Sequence, residues 1–144
     1  MKTIHIILTV IISFLQPLNA QTKTDEKTID LYLKIDNYTP TKGKIFIALY
    51  DNSQDFYQKK RIKIKPEVQS KGLYLIKGLA KGTYAILLVQ DTNGNGKLDF
   101  DNYIPTEPFG VSNNPQLMGP PAWEDAAFDL QKNSVIPIQL ITYD

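Results

Sequence analysis

The chain has 144 residues with 16 basic and 15 acidic side chains, which gives a formal net charge of +1. This balance argues against a surface that attracts nucleic acid or an anionic membrane. The sequence has no cysteine, and its single histidine is His5. Outside the N-terminal segment it therefore excludes Ser-His and Cys-His catalysis and the nitrogen and sulfur ligands that zinc prefers.

The first 20 residues have the pattern of a secretory signal peptide. Lys2 supplies a positive end, Ile4–Leu15 is largely apolar, and Ala20 is a small residue suited to cleavage. The apolar run is too short to span a bilayer, although a buried strand or helix at the start of the domain is the alternative. We expect an exported protein, periplasmic or extracellular, without a stable membrane anchor. Residues 21–27 are predicted to be a linker, and residues 28–144 a single domain.

Apolar residues that alternate with polar ones predict β-strands along most of the remaining chain. The Gly78–Thr83 turn before the longest strand resembles the hairpin of transthyretin-like and immunoglobulin-like secreted modules. Pro137 cannot donate a hydrogen bond to a sheet and predicts an edge strand or a bulge. The expected fold is all-β, an immunoglobulin-like or transthyretin-like antiparallel β-sandwich of about seven strands. The predicted strands are Ile29–Asp36, Lys44–Tyr50, Arg61–Lys65, Leu73–Ile76, Thr83–Gln90, Ala127–Leu130 and Val135–Ile141.

The alternation stops after Asp91 for about 34 residues. Interruptions of this length in a compact domain are usually functional or disordered. Aromatic residues such as Tyr103, Phe109 and Trp123 can bury area here, and five prolines restrict the backbone. We therefore predict one long ordered loop folded over one end of the sandwich, with a single helical turn at Trp123–Ala127.

The segment Asp91–Asp99 has the spacing of a calcium-binding loop. Oxygen-bearing side chains occupy positions 1, 3, 5 and 9, and Gly96 occupies position 6, where a tight bend is needed. The predicted calcium ligands are Asp91, Asn93, Asn95 and Asp99 through their side chains and Lys97 through its backbone carbonyl.

The match to an EF-hand loop is incomplete, because position 12 is Asn102 instead of the bidentate glutamate. With two carboxylates in the loop, the expected dissociation constant is on the order of 10⁻⁴–10⁻³ M. Asp101 or Glu107 is available as a further ligand. The alternative is a metal-free turn, because Asn-Gly occurs twice in the loop and favours tight turns by itself.

Four motifs in order resemble a bacterial secreted family known as domain of unknown function 2141. They are Gly78–Ala85, Asp91–Asp99, Ile104–Asn114 and Gly119–Phe128. The resemblance covers essentially the whole chain after the predicted signal peptide, and Trp123 stands where phenylalanine is more usual. It implies an exported single-domain β-sandwich with no assigned activity or ligand.

Two functions are compatible with these residues. The first is a monomeric binding or accessory module for an extracytoplasmic ligand such as a carbohydrate or peptide. Its candidate ligand surface is Tyr103, Glu107, Phe109 and Trp123, unless these aromatic side chains cap the core instead. The alternative is a glycosidase-like hydrolase that uses carboxylates of the long loop. No catalytic residue is assigned.

Overall fold

The computed structural model describes residues 28–143. The predicted signal peptide (1–20) and linker (21–27) lie outside the described residues. Within the described range, no helix is both long enough and apolar enough to cross a membrane.

The described residues form two main sheets, one small hairpin and two short helices. In the first sheet the strand order is β10 (Ser134–Gln139), β1 (Ile29–Asp36), β4 (Leu73–Leu79), β3 (Glu67–Ser70). The second sheet contains β2 (Lys44–Tyr50), β5 (Gly82–Asp91) and β8 (Phe109–Val111), and β9 (Phe128–Leu130) pairs with the start of β5. The hairpin is β6 (Phe100–Asp101) with β7 (Ile104–Pro105), and the helices are α1 (Ser53–Tyr57) and α2 (Trp123–Ala126).

The two sheets pack face to face around the main core. Every second residue of β1 from Ile29 to Ile35 is buried, as the sequence alternation predicts. These side chains belong to one cluster with Leu49, Ile86 and Leu88 of the second sheet. Full burial of each such side chain contributes roughly 1.5–3 kcal/mol. The predicted all-β sandwich is confirmed.

One strand pair departs from the predicted antiparallel arrangement. β10 runs parallel to β1, with Leu31 opposite Ser134 and Asp36 opposite Gln139. The reason is that β9 pairs in the second sheet, so the chain crosses to the first sheet before it forms β10. The strand at Pro137 lies at the edge of its sheet, as its missing donor predicts.

The predicted strand Arg61–Lys65 is wrong. The backbone N–H of Ile62 donates to the carbonyl of Leu49 (2.8 Å), and the segment then leaves β2 to reach the first sheet. Ile62 and Ile64 pack against the main core during this crossing, which explains their alternation without a sheet. The strand that follows is β3, whose four residues are all exposed.

The long interruption is ordered, but it does not simply cover one end of the sandwich. It contains the β6–β7 hairpin and β8, which extends the second sheet. Its later part and α1 cover the outer face of that sheet and form a second core of Tyr50, Phe56, Ala85, Phe109, Val111 and Ala126.

Candidate functional site

The Asp91–Asp99 loop folds around the carboxylate of Asp91. This side chain is 1% exposed at the end of β5. Its Oδ1 accepts hydrogen bonds from the backbone N–H of Gly94 (2.7 Å) and Asn95 (3.2 Å), and its Oδ2 accepts from Gly96 (2.8 Å). Burial alone would raise the pKa of Asp91, but the backbone N–H donors of the loop outweigh it and lower the pKa. The loop is therefore built around a charged carboxylate.

The two asparagines connect this loop to Asp99. The side-chain carbonyls of Asn93 and Asn95 accept from the backbone N–H of Asn95 (3.1 Å) and Lys97 (2.9 Å). Their NH₂ groups both donate to Oδ2 of Asp99 at 2.6 Å. The five predicted ligand residues therefore lie in one compact loop, in a hydrogen-bonded arrangement that also fits the metal-free alternative.

A cation would require rearrangement within this loop. The asparagine NH₂ groups, which cannot ligate a cation, face Asp99 where carbonyl oxygens would be needed. Among residues 28–143, no group of three or more carboxylate, histidine or cysteine side chains is placed to hold a metal ion. The oxygens that are present, two carboxylates and two amide carbonyls, are nevertheless of the type that calcium prefers.

Glu107 holds the start of the Asp91–Asp99 loop through hydrogen bonds from Thr92. It is 3% exposed, and its Oε1 accepts from the backbone N–H (2.7 Å) and the hydroxyl (3.0 Å) of Thr92. Its Oε2 is buried without a hydrogen-bond partner in the described part of the chain. Glu107 therefore supports the loop from the interior and is not part of an exposed surface.

Gln90 and Gly43 fix the other side of the loop. Gln90 is buried, and its Nε2 donates to the carbonyls of Thr39 and Lys42 in the neighbouring turn. Gly43 has φ +76°, and a Cβ at this position would lie 1.8 Å from the carbonyl oxygen of Asp91. Sequence reasoning missed both residues, although a glutamine at the end of an apolar strand was a usable signal.

An apolar cavity of about 660 Å³, here called the outer groove, adjoins the loop on the outer face of the second sheet. Its floor includes Ala48 of β2 and Leu87 and Val89 of β5. Gly96–Leu98 and Phe100 of the loop region, residues of α1, and Pro120 and Pro121 form its sides. Three cationic side chains also line it, namely Lys59, Arg61 and Lys97, and no aspartate or glutamate of residues 28–143 does.

The four residues of the predicted ligand surface have different environments. Tyr103 is 98% exposed in the turn between β6 and β7, whereas Glu107 and Phe109 are buried. Trp123 is half-buried, with its ring 5.9 Å from that of Phe56. Of the four, only Phe109 lines the outer groove. The groove was missed because its residues come from segments far apart in sequence.

A hydrogen-bond link between the helices closes one side of the second core. The hydroxyl of Tyr57 donates to Oε2 of Glu124 (3.2 Å) and accepts from the backbone N–H of Trp123 (3.1 Å). Ser112, which is fully buried, accepts from the backbone N–H of Ile86 (2.9 Å) and donates to the carbonyl of Ala126. These bonds hold the covering segment against β5.

The family model for uncharacterised proteins conserved in bacteria, DUF2141, matches residues 33–137. The chain belongs to the DUF2141 family. The resemblance seen in the four sequence motifs is thereby confirmed, and the match runs from β1 to β10. No curated protein and no solved structure matches the chain. The residues of the Asp91–Asp99 loop and of the outer groove all lie within the matched range.

Proposed function

We propose that this DUF2141 protein is an exported, non-catalytic binding or accessory module whose ligand occupies the outer groove. The observation that carries the proposal is the groove itself. Its volume of about 660 Å³ lies within the roughly 300–1,000 Å³ of small-molecule sites. Its floor is made of apolar side chains on two paired strands, which are rigid supports for a binding site. Export rests on the signal-peptide pattern of the first 20 residues.

The Asp91–Asp99 loop contributes a weak calcium-type site to this proposal. Asp91, Asn93, Asn95 and Asp99 would supply side-chain oxygens, and Lys97 its backbone carbonyl. Each amide oxygen that accepts one backbone N–H keeps a second lone pair for an ion. Because Gly96–Leu98 also line the outer groove, an ion that fixes the loop would fix one side of the groove.

The side-chain NH₂ groups of the asparagines provide a direct test for the ion. Calcium titrated into ¹⁵N-labelled protein should shift the NH₂ signals of Asn93 and Asn95, because their bonds to Asp99 must break. The NH₂ signal of Asn113, which donates to the carbonyls of Asp125 and Ala127, serves as the internal control. At 100 times the dissociation constant, calcium should add about 2.7 kcal/mol to the free energy of unfolding. Unchanged asparagine signals and an unchanged melting temperature at 10 mM calcium would exclude the ion site.

A neutral fluorescent probe tests the groove. N-phenyl-1-naphthylamine should bind the wild-type protein, and Ala48→Phe should abolish binding by filling the floor. Val135→Phe is the control, because Val135 is 60% exposed on β10 of the other sheet. Equal probe binding by both variants would place the probe elsewhere and count against the proposed site.

The hydrolase alternative gains no support from the described residues. Glu107 is buried and accepts a hydrogen bond from Thr92, and Glu124 accepts a hydrogen bond from Tyr57. A glycosidase needs two carboxylates on opposite sides of a bond within one cleft. Among the residues that the structure describes, no carboxylate lines the outer groove, so we do not propose hydrolysis there.

A further inference from the structure

We propose that the outer groove selects an amphiphile with an anionic head, a long-chain carboxylate, which Lys59, Arg61 and Lys97 recognise. This inference rests on the proposed binding function and names the chemical class of its ligand. It combines two properties of the groove, an apolar floor and a positive rim whose cations form no ion pair among residues 28–143.

The cations at the rim form no ion pair within the described part of the protein. The ion pairs among residues 28–143 are Lys34–Asp36 and Lys77–Glu67, and neither involves the groove. No hydrogen bond from the side chains of Lys59, Arg61 or Lys97 is present in this range, and no carboxylate lines the groove. Like charges around a low-dielectric opening concentrate their field and raise the local concentration of anions.

Arg61 lines the groove, so its charge borders the space that a ligand would occupy. Arg61 and the half-exposed Phe46 also line a second cleft of about 590 Å³, so they form the ridge between the two. Burial raises the pKa of Tyr50, and the positive charge of Arg61 opposes that rise. Tyr50 lines the groove, and its ring packs edge-on against Phe56 at 5.2 Å. Because Arg61 and Tyr50 both line the groove, a head group bound beside Tyr50 would lie near the guanidinium, and Arg suits carboxylates because of its planar pair of donors.

The rest of the groove suits an alkyl chain. Ala48, Leu87 and Val89 offer a floor without charged groups. Phe46 and Phe100 are 37% and 59% exposed, so aromatic surface beside this floor remains in contact with water. An alkyl chain lying between them would remove apolar area of both partners from water, at roughly 25 cal/mol per Å².

The test compares ligands that differ only in the head group. Calorimetric titration of the full chain, at fixed calcium concentration, with decanoate, decanol and decylamine should rank decanoate tightest and decylamine weakest. Binding of decanoate, but not of decanol, should weaken in 0.5 M salt, because partly exposed charge pairs are screened. This comparison needs no variant and does not depend on how substitutions affect folding.

Variants then locate the effect. The triple variant Lys59→Gln, Arg61→Gln, Lys97→Gln should bind decanoate about tenfold more weakly, because three partly exposed charge contacts are lost, and should bind decanol unchanged. Lys65→Gln is the control, because Lys65 is exposed and lines neither cleft. Ala48→Phe should abolish binding of both ligands, with melting temperatures checking that each variant folds.

The outcomes separate the two proposals. Equal affinity for decanoate and decanol, both abolished by Ala48→Phe, would overturn the anionic selectivity and leave the binding function standing. Decanoate binding that Ala48→Phe does not change would overturn the location. Absence of binding by all three ligands and by the neutral probe would overturn the inference together with the proposed function.

Discussion

Gly110 is the position where one added methyl group most directly tests the packing of the second sheet. It lies in β8, paired with Leu88 of β5, and its backbone faces β10. A Cβ at this position would lie 2.8 Å from Cγ2 of Ile138 and 3.0 Å from the carbonyl oxygen of Gln139, whereas ordinary contacts begin at 3.4 Å. Because Ile138 is fully buried and the second contact is backbone, neither neighbour can move alone.

Gly110→Ala should therefore destabilise the protein by about 2–3 kcal/mol, the upper part of the range for overpacked cores. For a domain of this size the melting temperature should fall by roughly 8–12 °C. Urea unfolding followed by circular dichroism measures the free energy of unfolding. Gly119→Ala is the matched control, because no atom of the described residues lies within 4 Å of its added Cβ. It should change stability by less than about 1 kcal/mol.

A double-mutant cycle identifies the contact that is responsible. Ile138→Ala alone should cost about 2–5 kcal/mol, because it leaves a cavity in the main core. If Cγ2 of Ile138 causes the strain, the double variant should be more stable than the two single effects predict, by about 0.5–3 kcal/mol. A Gly110→Ala protein within 0.5 kcal/mol of the wild type, or strict additivity in the cycle, would refute this account of how β10 passes over β8.

Three further predictions concern the loop and the covering segment. Ser112→Ala leaves two buried backbone groups without a partner and should cost about 2 kcal/mol or more in urea unfolding, whereas Ser134→Ala, whose bond is local and exposed, should cost less than half of that. Gly43→Ala and Gly78→Ala both force an alanine to φ near +75°, which costs about 1–2 kcal/mol. Of these two, only the Cβ added at Gly43 also clashes with the backbone of the loop. The additional decrease in melting temperature of Gly43→Ala over Gly78→Ala therefore measures that clash. The pKa of Asp91 is lower in the folded protein than its ordinary 3.8, so the stability that its charged carboxylate contributes is fully present above pH 3.8 and is lost as pH falls through the folded pKa. Asp91→Asn should therefore make the free energy of unfolding fall less steeply with decreasing pH in the acid range. An unchanged slope in that range would contradict the loop hydrogen bonds.

The fold could be predicted from sequence where the apolar residues that repeat along a strand are also the residues that its sheet buries. In β1, alternate residues from Ile29 to Ile35 face one core, so the pattern reveals the strand and its buried side together. Periodicity was insufficient where burial occurs without pairing, as at Ile62 and Ile64, which pack against the core from an unpaired segment. It was also insufficient for β8, because three residues are too few for a pattern. The parallel partner of β10 depends on a crossover between sheets, which no local pattern encodes.

The candidate site shows the same division between local and long-range information. The Asp91–Asp99 loop was located from spacing alone, because its bonds join residues two to six positions apart. The direction of the asparagine NH₂ groups could not be predicted, since it depends on which atoms compete for Asp99. The outer groove brings together residues from Phe46 to Pro121, and its shape follows only from how the covering segment packs on the second sheet.

Lys97 belongs to both parts of the proposed site, and this has a thermodynamic consequence. Its backbone N–H is fixed by Asn95 in the loop, while the residue lines the outer groove. An ion that orders the loop therefore acts on the same chain segment that a groove ligand contacts. Coupling between two binding equilibria is reciprocal, so the factor by which calcium changes decanoate affinity must equal the factor by which decanoate changes calcium affinity. Titrations of each ligand with and without the other measure both factors. A factor of one in both directions, with both ligands bound, would mean that the loop and the groove are separate sites that share a residue without sharing an equilibrium.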